Sequence, residues 1–257
     1  MTFSIIARCA DTGAFGAAIT TSNLAVGSRC VRLAHGLGAF LSQHRTDPRL
    51  GDVGIAHLVA GSNAQTAIAE TCASTPDIEW RQLAALDAKG DSAVYHGRLM
   101  YSIYAHASAA DCLAIGNILD NDKVPARMVE AFERSHDRPF ADRLMIALEA
   151  GRDAGGEITG PLRSSGLRVT GAEGVDLCDL RIDSSKDDAV ADLRALFDAY
   201  QPHGDLLRGV AFTPDNVPVS RALFEASLAR IRDLGLVDRF PTEKRAKDWT
   251  LQDPPET

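Results

Sequence analysis

The stretch that decides the fold is residues 2–21, TFSIIARCADTGAFGAAITT. Residues 3–9 alternate between two faces, one of which is apolar throughout, and this period of two indicates a β-strand. Asp11-Thr12-Gly13 has the chemistry of a turn, and Phe15 to Thr21 is a second extended run. We therefore expect an N-terminal hairpin, whose second strand has small side chains that allow another layer or a ligand to approach closely.

Beyond the hairpin, strands come in groups and helices come in pairs. This order favours antiparallel sheets covered by helices over a doubly wound parallel sheet. Asn117 is a conspicuous polar residue on an otherwise apolar strand. We expect further strands over 36–42, 81–87, 92–95, 112–119, 166–170 and 177–183, and helices over 54–60, 64–72, 124–132, 140–148 and 190–200.

The C-terminal quarter differs in composition from the rest of the chain. We therefore divide the chain into a main domain, 1–203, and a C-terminal extension, 204–257. Apolar residues recur at helical spacing around residues 224–231 and indicate one helix in the extension. From Pro241 onward the chain is polar and contains proline, which is typical of an extended tail. Trp249 in this tail is a candidate anchor onto a neighbouring chain, so a homo-oligomer is among the expected assemblies.

Composition and charge argue against several classes of protein. The 257 residues are 45% hydrophobic and 24% charged, as expected of a packed globular protein. The net charge of −8 argues against binding to nucleic acid or to an anionic membrane surface. No apolar stretch approaches the roughly 20 residues of a membrane span, no secretory signal is evident, and the five cysteines are scattered, as is usual for reduced thiols. We therefore expect a cytoplasmic protein.

The common cofactor and metal motifs are missing from the sequence. It contains no phosphate-binding P-loop, no G-x-S-x-G elbow and no H-E-x-x-H zinc motif. None of the seven histidines has a second histidine four residues away. We expect neither a metal nor an organic cofactor.

Thr2 suggests a different kind of chemistry. A threonine in the second position is small enough for methionine aminopeptidase to remove Met1 and expose it. A terminal α-amine has a pKa near 8, so a substantial neutral fraction at pH ~7 can take the proton of the same residue's hydroxyl. Thr2 then combines a nucleophile and a base in one residue. Met-Thr is a common start, so the remaining motifs decide how this residue is interpreted.

Those motifs resemble a bacterial family named domain of unknown function 1028, which is grouped with the N-terminal-nucleophile (Ntn) hydrolases. The resemblance runs from Thr2 to about Tyr200, with the motifs in order and at compatible spacings. They are Thr2-Phe3-Ser4-Ile5, Asp11-Thr12-Gly13 with Phe15-Gly16, Leu24-Ala25-Val26-Gly27, Asp47-Pro48-Arg49-Leu50-Gly51, Gln82-Leu83 leading to Asp87 and Gly90, and Gly116-Asn117-Ile118-Leu119.

The resemblance implies an α+β fold, a four-layer αββα sandwich of two antiparallel β-sheets between helix layers. It also implies hydrolysis of an amide bond, here in a small molecule, with Thr2 at the position of the Ntn nucleophile. Asn117 lies in a matching motif, and its amide would donate to a developing oxyanion. A structural asparagine that ties down a neighbouring loop is an equal alternative.

Six other residues are candidates for binding the substrate. Ser4 lies on the same strand face as Thr2, and Thr21, Ser22 and Asn23 form a polar run at a strand exit, where turn hydrogen bonds are the alternative. Arg49 would bind a carboxylate, or else form a surface pair with Asp47 or Asp52. His44 is a candidate acid–base group, as is His106, although a single histidine is more often structural.

Two functions therefore compete. The first is a small-molecule amidohydrolase that uses Thr2 after loss of Met1. The second is a non-catalytic metabolite-binding or regulatory protein on the same scaffold, because a fold does not dictate a function. The chain departs from the family pattern at Ile115, at residues 44–47 and at residues 156–165, and most of these changes lie in predicted loops, where specificity usually resides.

Overall fold

Two antiparallel β-sheets form the centre of the structure, a computed structural model that describes residues 1–171, 174–245 and 249–253. The chain divides into two units, Met1–Ala199 and Tyr200–Thr257, each described here by itself. The strands of the first unit are β1 (Thr2–Arg8), β2 (Phe15–Thr21), β3 (Val31–Ala34), β4 (Gly38–Gln43), β5 (Gln82–Asp87), β6 (Ser92–His96), β7 (Tyr104–Ala109), β8 (Cys112–Asn117), β9 (Ser164–Thr170) and β10 (Asp176–Ile182).

The predicted N-terminal hairpin is confirmed. β1 and β2 pair antiparallel, with Arg8 opposite Phe15 and Phe3 opposite Thr20. β1 lies in the interior of a six-stranded sheet of order β10-β9-β2-β1-β8-β7, and the second sheet has the order β3-β4-β5-β6. Because β1 has a partner on both sides, each of its ends is held in place by two neighbouring strands.

The apolar residues of β1 divide between two cores. Ile6 faces the second sheet, where it shares a buried cluster with residues of β2 and β8 and with Leu41 and Leu86 of the facing strands. Phe3 and Ile5 are fully buried on the opposite face. The alternation within seven residues thus places one side of the strand between the sheets and the other side under a helix layer.

Helices cover both outer faces. The α-helices of the first unit are α1 (Val26–Cys30), α2 (Pro48–Val59), α3 (Ala64–Ala73), α4 (Val124–Arg134), α5 (Phe140–Asp153) and α6 (Ala189–Tyr200). α1 is not on an outer face, because its Val26 and Cys30 belong to the inter-sheet cluster of Ile6. α4 and α5 pack on the six-stranded sheet, and α2 and α3 pack on the four-stranded sheet, while β1 and β2 contact β3, β4 and β5 across the interface. The four-layer αββα sandwich is therefore confirmed.

Some elements differ from the sequence-based expectation. α2 begins at Pro48, six residues before the predicted start, because Asp47 accepts a hydrogen bond from the Arg49 backbone N–H and proline is well suited to the first helical position. α1, β3 and β7 were not expected. α1 and β3 have only five and four residues, and β7 is exposed or half-buried along its whole length, so its sequence lacks an apolar period.

The second unit holds more regular structure than predicted. In its described residues the strands and α-helices are α7 (Gly204–Phe212), β11 (Val219–Ser220), α8 (Arg221–Asp233), α9 (Thr242–Arg245) and β12 (Leu251–Gln252), so three α-helices are described there where the sequence predicts a single helix beyond residue 203. The rings of Trp249 and Phe224 pack edge to face, with 6.0 Å between their centroids. In the described residues, every helix is too short or too polar to cross a lipid bilayer. Residues 246–248 and 254–257 of the predicted tail lie outside the described residues.

The contact between α2 and β4 depends on a glycine. A Cβ at Gly54 would lie 2.3 Å from Cε2 of the Phe40 ring, which is fully buried. At Gly51, one turn earlier on the same helix, the nearest atom is Cγ of the flexible Arg32 side chain at 3.0 Å. The two glycines of one helix thus differ in what a methyl group would meet.

We expect Gly54→Ala to lower the free energy of unfolding by about 1–3 kcal/mol, because overpacking against a buried ring outweighs the gain in helix propensity. Gly51→Ala is the matched control and should leave stability unchanged or raise it by up to ~1 kcal/mol. Urea unfolding of the two variants measures the difference. Equal stability of both variants would contradict the close packing described here.

Two histidines link the open edges of the two sheets. His96 of β6 and His106 of β7 are joined by a hydrogen bond of 3.0 Å between Nε2 and Nδ1. Gln82 donates from Nε2 to His96 Nδ1 at 3.1 Å, so His96 carries its proton on Nε2 and donates to His106. Burial, reinforced by His106, lowers the pKa of His96 to about 4.

The neutral form of His96 is therefore part of the folded state. Unfolded His96 takes up its proton near its ordinary pKa of 6.5, whereas folded His96 resists protonation down to about 4, so the unfolded state binds more protons in this window. We expect the free energy of unfolding to fall as the pH drops from 6.5 to 4, and His96→Gln to make this fall shallower. Denaturation series across these pH values measure the slope. The exposed His136, changed to Gln, is the control. If the free energy of unfolding of His96→Gln falls with pH as steeply as that of the wild type, His96 is not the group responsible.

Candidate functional site

Polar side chains replace apolar ones at one end of the layer between the two sheets. β1 starts at this end, β2, β4 and β8 finish there, and β5 starts there. The side chains that point into the layer here are Thr2, Ser4, Thr21, Gln43, Gln82 and Asn117, all of them buried. We call this set the polar end of the sandwich.

The amide groups of the polar end form one oriented chain of hydrogen bonds. Gln82 Nε2 donates to the backbone carbonyl of Gly116 at 2.9 Å, which fixes the orientation of its amide. Gln82 Oε1 then accepts from Gln43 Nε2 at 2.7 Å and from Asn117 Nδ2 at 2.9 Å. Ser4 completes the chain by donating to Gln43 Oε1 at 2.9 Å. Backbone geometry therefore determines which atom of each amide faces the site.

Thr2 lies at the start of β1, opposite Asn117 of β8. Its hydroxyl is 3.3 Å from the hydroxyl of Thr21. The hydroxyls of Thr2 and Thr21 both donate to the carbonyl oxygen of Met1. Only 7% of Thr2 is exposed. Two hydroxyls thus converge on one amide carbonyl.

A half-buried carboxylate lies next to this group. Glu157 accepts hydrogen bonds from the backbone N–H of Ser22, at 3.0 and 3.2 Å to its two oxygens, and Ser22 directly follows Thr21. Glu157 is brought there by a β-bridge to Leu119, beyond the end of β8. Burial raises the pKa of Glu157, although the Ser22 contact and the positive α-amine of Met1 oppose the shift.

The α-amine of Met1 shares this environment. Burial lowers the pKa of the amine, Glu157 and Cys30 raise it, and Arg29 lowers it. The net direction is downward, so a larger fraction of the amine is neutral than in a free peptide. Burial also raises the pKa of the nearby Cys30 thiol, which keeps it protonated.

His44 presents an unpaired basic nitrogen. It follows β4 in a left-handed conformation with φ of 55° and is only 4% exposed. Nδ1 lies 2.6 Å from the carbonyl oxygen of Trp80, and because a carbonyl only accepts, Nδ1 carries the proton. Nε2 is left as a buried acceptor without a partner. Burial, together with the positive charges of the Met1 amine, Arg45 and Arg81, lowers the pKa of His44 although the Trp80 carbonyl opposes this.

Unsatisfied polar atoms concentrate at this end of the molecule. In the described chain, four buried side-chain atoms have no hydrogen-bond partner: His44 Nε2, Arg81 Nε, Asn117 Oδ1 and Asp176 Oδ1. The first three belong to residues at or next to the polar end, whereas Asp176 pairs with Thr170 at the opposite end of its sheet. Buried polar groups without partners are rare in proteins and often mark a place for a ligand.

The remaining predicted residues lie at or outside the rim. Ser22 donates its backbone N–H to Glu157, and its side chain also interacts with that carboxylate. The exposed Asn23 uses its side-chain oxygen to hold the Leu24 N–H at 2.9 Å. The Arg49 side chain is 87% exposed and forms a two-point pair with Asp47, at 3.0 and 2.7 Å, which is the surface pair left open by the sequence. His106 is exposed on β7 beside His96.

Sequence reasoning overlooked three residues of the site. Gln43 and Gln82 each stand at the end of an apolar strand, and a polar residue in that position was a usable signal, as it was for Asn117. Glu157 follows Gly155-Gly156 in a loop, and no pattern in the sequence connects it with Thr2. Among the described residues, no group of three His, Cys, Asp or Glu side chains is arranged to hold a metal ion.

Comparison with solved structures finds several proteins that are similar to this chain. A protein of Silicibacter pomeroyi, described as DUF1028, is 32% identical, covers 78% of this chain and 86% of its own, and superposes with a TM-score of 0.72. Anbu (ancestral beta-subunit) from Yersinia bercovieri is 10% identical over 82% of this chain and 98% of its own, with a TM-score of 0.41. A Gly-1 mutant of Anbu from Hyphomicrobium sp. strain MC1 is 15% identical over 79% of this chain and 96% of its own, with a TM-score of 0.39.

Family membership rests on the sequence as well as on the structure. No curated protein is significantly similar to this chain. The family model described as "Family of unknown function (DUF1028)" matches residues 2–193, which include every strand of the two central sheets. The chain belongs to the DUF1028 family.

Proposed function

We propose that the protein is an N-terminal-nucleophile hydrolase of an amide bond in a small molecule, with Thr2 as the nucleophile once Met1 has been removed. The observation that carries this proposal is the convergence of the Thr2 and Thr21 hydroxyls on the carbonyl of residue 1. A substrate amide bound beside Thr2 would present its carbonyl oxygen to the Thr21 hydroxyl and its carbonyl carbon to Thr2 Oγ. The nucleophile stands at the start of an interior strand, which gives it a rigid position.

The chemistry needs only groups of this chain and water. The freed α-amine of Thr2 takes the proton of its own hydroxyl, and the oxygen attacks the substrate carbonyl. The same amine then protonates the departing nitrogen, and water hydrolyses the resulting ester. Burial lowers the pKa of the amine of residue 1, and a Thr2 amine in this environment would likewise be neutral at a lower pH than in a free peptide.

Thr21 is the candidate donor to the oxyanion, because its hydroxyl donates to a carbonyl oxygen in this position. Asn117 was expected in that role from the sequence. Its amide nitrogen donates to Gln82, and the atom left without a partner is Oδ1, an acceptor. An acceptor beside Thr2 suits an N–H group, so we assign Asn117 to orienting the freed amine.

His44 and the Ser22–Asn23 turn border the position of the substrate. His44 Nε2 offers a buried acceptor, and the turn supplies exposed polar groups. Ser4 acts one step back, by holding the amide of Gln43.

A non-catalytic metabolite-binding protein is the second candidate. The observation that favours it is that the carbonyl of the Met1–Thr2 peptide takes up both hydroxyls, since an amine bound in this peptide cannot act as a base. The hydrolase requires that Met1 is removed in the cell and that a bound amide is cleaved. The binding protein requires neither.

We expect protein that lacks Met1 to form an acyl-enzyme on Thr2 when it is incubated with a panel of activated amides and esters. Thr2→Ser should keep turnover, whereas Thr2→Ala should lose it by at least about 10³-fold, because the nucleophile is removed. Intact mass and peptide mapping detect the adduct, and far-UV circular dichroism controls for folding. Full turnover by Thr2→Ala would rule out the proposal.

Thr21→Val tests the oxyanion donor with a side chain of nearly the same shape. We expect kcat to fall by about 10²–10³-fold with little change in KM, as for the loss of one oxyanion donor. Thr21→Ser keeps a hydroxyl and should retain most of the rate. A Thr21→Val enzyme with the wild-type kcat would show that the oxyanion is held elsewhere.

A further inference from the structure

A cavity of about 240 Å³ lies at the edge of the six-stranded sheet that β9 and β10 form. The four-stranded sheet ends at β3, which contacts β2, and α1 packs on β9 next to it. The cavity is enclosed between α1 and β3 on one side and β2, β9 and β10 on the other. The six residues of the polar end are not among those that line it.

Arginines supply most of the charge around this cavity. Among the described residues that line it, Arg32, Arg168 and Arg181 are positive and Asp179 is negative. In the ladder of β9 and β10, Arg168 lies opposite Asp179 and Arg181 lies opposite Gly166, so both arginines are on the same face of the sheet. Positive charge is therefore concentrated here, in a chain whose net charge is −8.

Two glycines make room for Arg181. A Cβ at Gly27 of α1 would lie 3.2 Å from both Cγ and Cδ of Arg181. A Cβ at Gly166 of β9 would lie 3.3 Å from the Cα of Gly27. Because neither position has a side chain, the stem of Arg181 lies against the backbone of α1. This contact gives a role to the last residue of the motif Leu24-Ala25-Val26-Gly27, which the chemistry of Thr2 does not use.

The guanidinium groups keep N–H donors that no protein group accepts. Within the described residues, the guanidinium of Arg181 forms no hydrogen bond, and its ion pair with Asp179 is 3.8 Å long. Arg168 uses Nε to reach Asp176 at 2.9 Å, and both of its terminal nitrogens are unused in the same part of the structure. A guanidinium carries five N–H groups, so these two side chains have donors left for an external acceptor.

The inner wall of the cavity is apolar. It includes Ala17, Ile19 and Val31, which belong to the cluster between the two sheets. An apolar wall with a few charged groups at its rim is the usual construction of a small-molecule site.

We propose that this cavity binds a small organic anion, whose carboxylate or phosphate group is held by Arg181 and Arg168 and whose apolar part lies against Ile19 and Val31. The planar fork of arginine matches both kinds of anionic group. The cavity is separate from Thr2, so this site does not depend on the proposed hydrolase function.

Isothermal titration calorimetry of the full chain tests the site. The probes are butyrate, benzoate and phenyl phosphate, with butyramide and benzamide as neutral analogues. The salt concentration is about 0.15 M, which screens charges more than about 8 Å apart. We expect at least one anion to bind with a Kd of about 1 mM or lower. The neutral analogues should bind at least about 10-fold more weakly, because they lack the charge that the guanidinium groups contact.

Three variants locate the bound anion. Arg181→Gln should weaken binding by about 10- to 100-fold, as for the loss of hydrogen bonds between charged groups. Arg98→Gln removes the same charge from a side chain that is 79% exposed and pairs with Glu79 outside the cavity, so it should keep the wild-type affinity. Gly27→Ala keeps every charge but places a methyl group where the stem of Arg181 lies, and should weaken binding by about 10-fold.

Weaker binding by both Arg181→Gln and Gly27→Ala, with Arg98→Gln unchanged, would support the site, and the probe that binds best would identify the anionic group. Circular dichroism and melting temperatures show that each variant is folded. The proposal is overturned if none of the three anions binds at concentrations up to about 10 mM. It is also overturned if Arg181→Gln or Gly27→Ala binds as tightly as the wild type, or if Arg98→Gln weakens binding as much as Arg181→Gln.

Discussion

The hydrogen bond from Gln82 Nε2 to the Gly116 carbonyl sets the arrangement of the polar end. A side-chain amide can be turned either way, but a backbone carbonyl only accepts, so this contact fixes the amide of Gln82. The orientations of Gln43 and Asn117 follow from it, because both donate to Gln82 Oε1. One contact between a strand of each sheet thus both joins the two sheets and decides that Asn117 turns its oxygen toward the site.

Polar groups at the end of a sandwich weaken its core unless they are paired. Most of the polar end is satisfied internally; Asn117 Oδ1 has no partner, and neither do one atom of His44 and one of Arg81 next to it. Such atoms cost free energy in an unliganded protein and can be compensated when a ligand binds. The inter-sheet layer therefore separates into an apolar part, which stabilises the fold through Ile6 and its neighbours, and a polar part, which is the proposed binding site.

The sequence predicted the architecture better than the site. The alternation in residues 3–9 and the order of strands and helices indicated antiparallel sheets under helices, and the resemblance supplied the number of layers. Thr2 was identified by its place after Met1 and by the resemblance, and Ser4 because it shares a strand face with Thr2. Thr21 was identified as part of a polar run at a strand exit, and Asn117 as a polar residue on an apolar strand. Glu157 could not be found in this way, since only the bridge between Leu119 and Glu157 brings its loop beside β2. Arg49 was selected from a motif, but its guanidinium is engaged by the carboxylate two residues earlier, a contact that depends on the start of α2.

The tight approach of α2 to β4 also bears on how relatives of this protein can vary. The ring of Phe40 occupies the volume that any side chain at residue 54 would need. A larger residue at 54 is tolerated only if residue 40 becomes smaller, because the interior has no spare room to absorb the difference. Across homologous sequences, the sizes of these two residues should change in a compensating manner.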